Sequence, residues 1–238
     1  MVASILPLTL KDATVRKGGK TIIGPMSETI DATGFTIFMG PNGSGKTTLL
    51  RLMHGLEHPR GGSVTWQLPA AQARTRQAFV FQTPVMMRRT VVENIAYPLR
   101  VRGEAKNWAL AQAAQWADTI GLGDALEQNA EVLSGGEKQK LAVARALIVQ
   151  PEVLFLDEPT ANLDGKATRE IEGLLLAAQA DGVRILMATH HLGQARRLAS
   201  DIIFLYQGQV HERATAEAFF NTPKTPESKS FLSGDIVE

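Results

Sequence analysis

The stretch Gly40-Pro-Asn-Gly-Ser-Gly-Lys-Thr47 decides the fold, because it matches the phosphate-loop pattern G-x4-G-K-[ST], also known as Walker A. An apolar run, Thr36-Ile-Phe-Met39, precedes it and predicts a buried strand, and Lys46–Leu56 predicts a helix ending near Gly55. Glycines let successive backbone N–H groups face phosphate oxygens, and a helix N-terminus attracts the same anion. The predicted nucleotide-binding residues are Gly40, Pro41, Asn42, Gly43, Ser44, Gly45, Lys46, Thr47 and Thr48. Lys46 is expected to reach the β- and γ-phosphates and the Thr47 hydroxyl to bind Mg²⁺.

A second acidic element follows the apolar strand Val153–Leu156, which ends in Asp157 and Glu158. Open α/β sheets bind ligands at the carboxyl ends of their strands, so we expect both acids at the same edge as the phosphate loop. Asp157 is predicted to hold Mg²⁺, directly or through water, and Glu158 to orient and deprotonate an attacking water. The alternative is a pair of solvated acids that cap a strand.

A third element, Leu133-Ser-Gly-Gly-Glu137, precedes a predicted helix. Ser134 and Glu137 form the capping-box pattern Ser-x-x-Glu. The two glycines between them are poor helix formers, and they leave bare backbone amides that suit a phosphate. Because the phosphate loop already has its own helix, a second phosphate-binding turn suggests a second molecule.

The order of strands and helices predicts an α/β fold, with a P-loop NTPase core built on a mostly parallel sheet. Strand patterns recur at Phe79-Val-Phe81, Arg184–Ala188 and Ile202–Tyr206, with helical stretches between several of them. Residues 83–150 read as a helical subdomain inserted into a domain of residues 1–220. Residues 221–238 contain two prolines and many polar residues, and are predicted to form a short extended tail.

The bulk composition narrows the class of protein. The 238-residue chain has a formal net charge of +1, which argues against a dedicated nucleic-acid binder. It has no cysteine, so disulfides and thiol-ligated metals are excluded. The first ten residues lack the pattern of a signal peptide, and no apolar run approaches the ~20 residues that span a bilayer. We therefore expect any membrane role to be exerted from outside the lipid.

Taken together, Gly40–Thr47, Gln82, Leu133–Glu137, Asp157-Glu158, Leu163-Asp164 and His190 resemble the ATPases of ABC transporters in order and approximate spacing. The resemblance covers nearly the whole chain. It implies a Mg²⁺-dependent ATPase of the ABC fold whose cofactors are ATP and Mg²⁺. Two copies would pack head to tail, with each ATP between the phosphate loop of one copy and Ser134, Gly135, Gly136 and Glu137 of the other.

The same resemblance implies further roles for single residues. Gln82 would contact Mg²⁺ and the attacking water, and would sense the membrane partner. Asp164 would communicate between the two sites, and His190 would touch the γ-phosphate. His191 stands where the family commonly has an acid, and it is given no role. The family also usually offers an aromatic residue for adenine stacking, whereas Val15-Arg-Lys-Gly-Gly19 has none, so Arg16 or Lys17 is the candidate there.

The segment after Gln82 predicts a partner surface, because Met86, Met87, Arg88 and Arg89 suit a groove that receives a helix. Val91, Val92 and Ile95 are equally well explained as core. This segment, together with Phe219-Phe-Asn-Thr-Pro223 and Phe231-Leu-Ser-Gly-Asp235, resembles the ATPases of bacterial oxyanion importers, especially the tungstate type, with molybdate and phosphate systems as neighbours.

That resemblance implies a peripheral protein on the cytoplasmic face of the membrane. Its partners would be a second copy, integral permease subunits and, indirectly, an extracytoplasmic solute-binding protein, with no nucleic acid. Two alternatives stay open: a soluble ABC ATPase that acts on DNA or the ribosome, and an ATP-gated membrane scaffold. The cargo, the direction of transport, the permease and the base preference are not determined by the sequence motifs.

Overall fold

The computed structural model of the chain describes residues 3–235. The strands are β1 Leu8–Lys17, β2 Lys20–Ile30, β3 Phe35–Met39, β4 Gly61–Trp66, β5 Gln77–Val80, β6 Val153–Asp157, β7 Arg184–Ala188, β8 Asp201–Tyr206 and β9 Gln209–Thr215. The α-helices are α1 Lys46–His54, α2 Ala70–Arg74, α3 Val91–Val101, α4 Lys106–Thr119, α5 Gly135–Leu147, α6 Gly165–Ala180, α7 Leu192–Leu198, α8 Ala216–Asn221 and α9 Pro226–Ser233.

The larger sheet confirms the predicted mostly parallel core. Its six strands lie in the order β5-β6-β7-β3-β8-β9, and each neighbouring pair is parallel except β8 and β9. All five residues of β3, β6 and β7 are buried, as expected for parallel strands that are covered on both faces. Parallel strands align their carboxyl ends, so the segments after β3, β6 and β7 emerge at one edge.

A second sheet was not predicted from the sequence. It is antiparallel, with the order β2-β1-β4, and it contributes Leu8, Leu10, Val15 and Ile23 to a core with α1 and one face of the larger sheet. Strand residues alternate between faces, so Phe38 joins this cluster while Ile37 joins the cluster on the opposite face. The larger sheet is thus packed on both sides.

Helices α3, α4 and α5 lie between β5 and β6 in the chain and share a hydrophobic cluster of their own. Val91, Val92 and Ile95 belong to this core, which resolves the alternative left open for them. The buried face of α4 consists of Ala109, Ala113 and Ala117. Among the described residues, no helix combines the length and apolar character that a membrane crossing requires.

The prediction of an extended tail is wrong for most of residues 221–235. Thr225 accepts a hydrogen bond from the Ser228 N–H and caps α9, and Pro226 occupies the first turn, where a missing N–H costs nothing. Phe231 packs against Phe204 of β8, with ring centroids 5.3 Å apart. The apolar side of α9 therefore docks onto the core, while residues 236–238 lie outside the described range.

Candidate functional site

The phosphate loop connects β3 to α1 in a conformation that its glycines make possible. Gly40 and Gly45 have φ angles of 143° and 101°. A Cβ atom at Gly40 would lie 2.0 Å from the Leu205 carbonyl oxygen, and one at Gly45 would lie 2.4 Å from Ile23 Cγ2. The loop is therefore held against β8 and β2 at a distance that side chains do not allow.

The donors of this loop fit a polyphosphate. Gly45, Lys46, Thr47 and Thr48 stand at the first positions of α1, where backbone N–H groups have no intrahelical acceptor. Lys46 Nζ donates to the carbonyl oxygens of Gly40 and Pro41, at 2.8 and 3.0 Å, so the ammonium lies over its own loop. Burial lowers the pKa of Lys46, while Glu158 and Asp157 counteract that shift. Pro41, Asn42, Gly43 and Ser44 complete the loop between the strand and the helix.

Two oxygen donors meet beside the loop. Thr47 Oγ1 donates to Asp157 Oδ1 at 2.8 Å, and the Asp157 side chain is buried at the end of β6. Burial raises the pKa of Asp157, which the hydrogen bond from Thr47 and the charge of Arg51 partly offset. Hydroxyl and carboxylate oxygens are the ligands that Mg²⁺ prefers, so this pair fits the metal that the sequence predicts.

Three side chains predicted to be catalytic come together next to this pair. Glu158 Oε1 lies 3.1 Å from His190 Nδ1, and Gln82 Nε2 donates to Glu158 Oε2 at 3.4 Å. Glu158 has a φ of 45°, and its N–H donates to the Ala188 carbonyl at 2.9 Å. Residues that follow β5, β6 and β7 are thus assembled at one sheet edge.

The serine-glycine turn lies elsewhere. Ser134 and Glu137 form the predicted capping box, since the Ser134 N–H donates to Glu137 Oε2 at 2.8 Å and the Glu137 N–H donates to Ser134 Oγ at 3.4 Å. Hydrogen bonds from Ser134 lower the pKa of Glu137. Within residues 3–235, no hydrogen bond joins this turn to the phosphate loop.

Asp164 shares a cavity with that turn rather than with the phosphate loop. The cavity measures about 500 Å³, and its lining includes Ser134, Gly135, Gly136, Glu137 and Asp164. Asp164 Oδ1 accepts from the N–H groups of Lys166 and Ala167, both at 2.8 Å, and these bonds lower its pKa. One chain thus holds two separate candidate phosphate-binding parts.

The hairpin formed by β1 and β2 carries Arg16 and Lys17, the two candidates for stacking on the adenine base. Lys17 Nζ lies 2.6 Å from Glu57 Oε2, and Arg16 Nη2 donates to the Gly19 carbonyl at 3.2 Å. Ile23 of β2 touches the loop at Gly45, so this hairpin extends from the edge of the phosphate loop. Stacking of adenine on Arg16 or Lys17 stays a prediction.

Sequence reasoning missed a polar cluster behind the site, in which the buried Thr160, Glu172 and Gln194 are joined by the exposed Arg197. Thr160, Glu172 and Gln194 are each at most 5% exposed. The available signal is Gln194 itself, a polar residue on the same face of α7 as the buried Ala195 and Leu198.

The fold and this site define a P-loop ATPase with a helical unit between β5 and β6. A protein-family model described as "ABC transporter" matches residues 23–161, and relatives of known name align with most of the chain. The chain belongs to the ABC transporter family. It is a Mg²⁺-dependent ATPase, an ATP-binding subunit with the ABC ATPase fold, and its cofactors are ATP and Mg²⁺.

Three relatives illustrate the range of transported substances for which similar proteins are named. The phosphate import ATP-binding protein PstB 2 of Natronomonas pharaonis is 36% identical over 237 residues, covering 92% of this chain and 84% of the relative. The tungstate uptake ATP-binding protein TupC of Peptoclostridium acidaminophilum is 36% identical over 217 residues, covering 90% and 100%. The L-cystine transport ATP-binding protein TcyN of Escherichia coli is 32% identical over 247 residues, covering 97% and 99%.

A solved structure resembles the chain over most of its length. It is a dimeric ATP-binding cassette in a post-hydrolysis state, bound to ADP and phosphate. The two chains share 28% identity with a TM-score of 0.78, and the match covers 88% of this chain and 98% of the other.

Proposed function

We propose that this chain powers an ABC importer as a head-to-tail dimer, on the cytoplasmic face of the membrane. The observation that carries the proposal is the meeting of Glu158, His190 and Gln82 beside the Thr47–Asp157 pair. ATP hydrolysis requires a general base, groups that position the attacking water and the terminal phosphate, and ligands for a metal ion. Glu158, then Gln82 and His190, and the Thr47–Asp157 pair supply these in turn.

Each residue has a role that follows from its position. The amides of Gly43–Thr48 and the Lys46 ammonium bind the β- and γ-phosphates. Thr47 and Asp157 would hold Mg²⁺, with Gln82 as a further ligand, and the metal would neutralise negative charge on the phosphate oxygens. Glu158 accepts the proton of the attacking water, and His190 donates a hydrogen bond to the γ-phosphate.

The separation of the two phosphate-binding parts supports the dimer. Ser134, Gly135, Gly136 and Glu137 lie in a different cavity from Glu158 and His190 within one chain. A second copy, rotated by a two-fold axis, brings its serine-glycine turn to the phosphates held by the first, and its Asp164 to the boundary between the sites. The solved dimeric cassette with ADP and phosphate is consistent with this arrangement.

An open groove supports a membrane partner. Its volume is about 740 Å³, and Phe81, Val85, Tyr97 and Val101 contribute exposed apolar surface, with Val85 72% exposed. Arg89 lies over the Tyr97 ring, 5.7 Å from its centroid. A short helix of a permease subunit fits such a groove, next to Gln82. Movement of Gln82 upon hydrolysis would then reach the permease, which in turn meets a solute-binding protein outside the cell.

We propose an oxyanion as cargo, with tungstate first and molybdate or phosphate next. Relatives named for phosphate and tungstate are both 36% identical over at least 90% of this chain, and this similarity supports the proposal. The test is co-purification of the chain with its membrane subunits, reconstitution, and uptake of tungstate, molybdate, phosphate and L-cystine. Uptake of L-cystine in place of the anions would contradict this cargo.

The hydrolysis proposal is tested with Glu158→Gln. The amide keeps the size of the side chain but accepts no proton, so turnover should fall by about 10²–10⁴-fold while ATP binding is retained. The variant should also accumulate as a dimer with Mg-ATP in light scattering. Glu104→Gln, an exposed carboxylate distant from the site, is the matched control and should hydrolyse ATP at the normal rate. Normal turnover by Glu158→Gln would contradict the role of Glu158 as general base. A variant that stays strictly monomeric with Mg-ATP would contradict the proposed dimer.

A further inference from the structure

A buried hydrogen-bond network of Thr160, Glu172 and Gln194, called the tie below, joins the loop after β6 to α7. Gln194 Nε2 donates to Thr160 Oγ1 at 2.9 Å and to Glu172 Oε1 at 3.2 Å. Thr160 and Gln194 are only 5% and 3% exposed. Little of either side chain reaches solvent, so loss of one partner leaves a largely buried donor or acceptor without its hydrogen bond.

An ion pair fixes the far end of the tie. Arg197 Nε lies 2.9 Å from Glu172 Oε2 and Arg197 Nη2 lies 2.7 Å from Glu172 Oε1, which is a bidentate arrangement. Two parallel bonds hold the carboxylate in one orientation, and that orientation presents Oε1 to the Gln194 amide. The four side chains thus form one connected group across the loop, α6 and α7.

The tie connects the two segments that carry the proposed reacting groups. Thr160 follows Glu158 by two residues, and Gln194 follows His190 by four. Glu158 and His190 stand on different loops, yet their side chains lie 3.1 Å apart. The same cavity, of about 580 Å³, is lined by both pairs of residues.

The loop itself needs support. Glu158 has a φ angle of 45°, in the left-handed region that residues other than glycine and asparagine rarely adopt, and Asn162 has a φ angle of 63°. Such conformations persist only where the surrounding structure over-determines them. Thr160 lies between these two residues in the chain, so its hydrogen bond with Gln194 anchors the loop at this point.

We infer that Thr160 and Gln194 are positioning residues that hold the Glu158 carboxylate in register with His190 for hydrolysis. This inference rests on the proposed function. Buried polar networks fix one geometry where an apolar contact would tolerate several. Misplacement of a catalytic group by about 1 Å can cost ~10²-fold in rate, so the tie acts on turnover rather than on ATP binding.

The test compares Thr160→Val, Thr160→Ser, Gln194→Leu and the double variant Thr160→Val/Gln194→Leu. Valine keeps the shape of threonine without the hydroxyl, whereas serine keeps the hydroxyl. We expect kcat for ATP hydrolysis to fall about ten- to hundredfold in Thr160→Val and in Gln194→Leu, with KM for ATP changed less than about twofold. Thr160→Ser should recover most of kcat, and the double variant should be no slower than the single ones.

Ile30→Val, a buried truncation in β2, is the control for lost stability and should keep normal kcat. Any of three results would overturn the inference. These are a normal kcat in Thr160→Val, a rise in KM for ATP as large as the fall in kcat, and a kcat loss in the double variant that equals the sum of the single losses in free energy. If Gln194→Leu does not fold, the valine–serine comparison at Thr160 decides alone. Normal hydrolysis by Glu158→Gln would instead remove the proposed function, so the two failures are distinguishable.

Discussion

At the scale of single residues, burial sets the charge of two groups near the phosphate-loop helix. The ring of His54, at the end of α1, makes edge contacts with Phe79 and Phe155, with centroids 5.4 Å away in both cases. Burial and the charge of Arg74 lower the pKa of His54 to about 4. The Asp157 carboxyl, by contrast, has a raised pKa because it is buried, and a bound Mg²⁺ would reverse that shift.

The lowered pKa of His54 predicts a loss of stability in acid. Between about pH 4 and 6.5 the unfolded chain binds the proton and the folded chain does not, so stability decreases as the pH falls through this window. His54→Phe keeps the aromatic contacts and removes the titration. We expect the wild type to lose about 2–3 kcal/mol more than the variant between pH 7.5 and 4.5 in urea denaturation. Equal losses of stability in the wild type and in His54→Phe would show that His54 does not cause the acid sensitivity.

At the scale of elements, one carboxylate holds the segment that leads into the last helix, in addition to the contact of Phe231 with Phe204. Glu212 of β9 accepts from the N–H groups of Lys224 and Thr225, at 3.0 and 3.2 Å, and is 5% exposed. Burial acts to raise the pKa of Glu212, but the hydrogen bonds from Lys224, Ser228 and Thr225 bring it below the usual range. The attachment is therefore complete above the unfolded-state pKa and is lost as the pH falls through the folded-state value.

Glu212→Gln should release α9, because an amide offers one acceptor oxygen where the carboxylate offers two. We expect a loss of about 1–3 kcal/mol in stability. Amides of residues 224–233 should exchange with deuterium faster, while those of β3 and β6 should not change. Glu217→Gln, an exposed carboxylate of α8, is the control and should leave the exchange of residues 224–233 as it is. Unchanged exchange in Glu212→Gln would show that the phenylalanine contacts suffice.

The elements also show what the sequence could and could not predict. The parallel strands of the larger sheet are predictable from the sequence, because continuous apolar runs such as Val153–Leu156 are typical of strands buried on both faces. Strands β1 and β2 were missed, since only one face of each is buried and charged residues interrupt the runs. The tail prediction fails because proline is tolerated in the first turn of a helix, and Pro226 begins α9. The contact between Gln194 and Thr160 depends on packing between distant segments, which one sequence does not reveal.

At the scale of the whole molecule, the nucleotide edge and the partner groove lie next to each other. Gln82 faces Glu158, and the chain then continues through Val85 and Met87 into the groove wall. Met86 packs partly buried against two core clusters, and Arg88 is exposed beside Glu131. The predicted partner segment is thus divided between core and surface.

Charge introduced into the groove should uncouple transport from hydrolysis. Val85→Glu within the groove, or charge reversal beside it by Arg88→Glu with Arg89→Glu, should reduce co-purification with membrane subunits and cargo uptake, while basal ATPase activity of the isolated chain is retained. Trp108→Glu, which places the same charge on an exposed apolar residue of α4 outside the groove, is the matched control. Intact uptake in the groove variants would place the partner surface elsewhere.

The central place of β3 in the larger sheet has a consequence during synthesis. Both neighbours of β3, namely β7 and β8, are encoded far downstream, at Arg184–Ala188 and Asp201–Tyr206. At ~5–20 residues per second, a ribosome exposes the phosphate-loop strand for on the order of ten seconds before either neighbour emerges. During that interval the strand is an unpaired apolar segment, so the nascent chain is exposed to aggregation until most of it has been made.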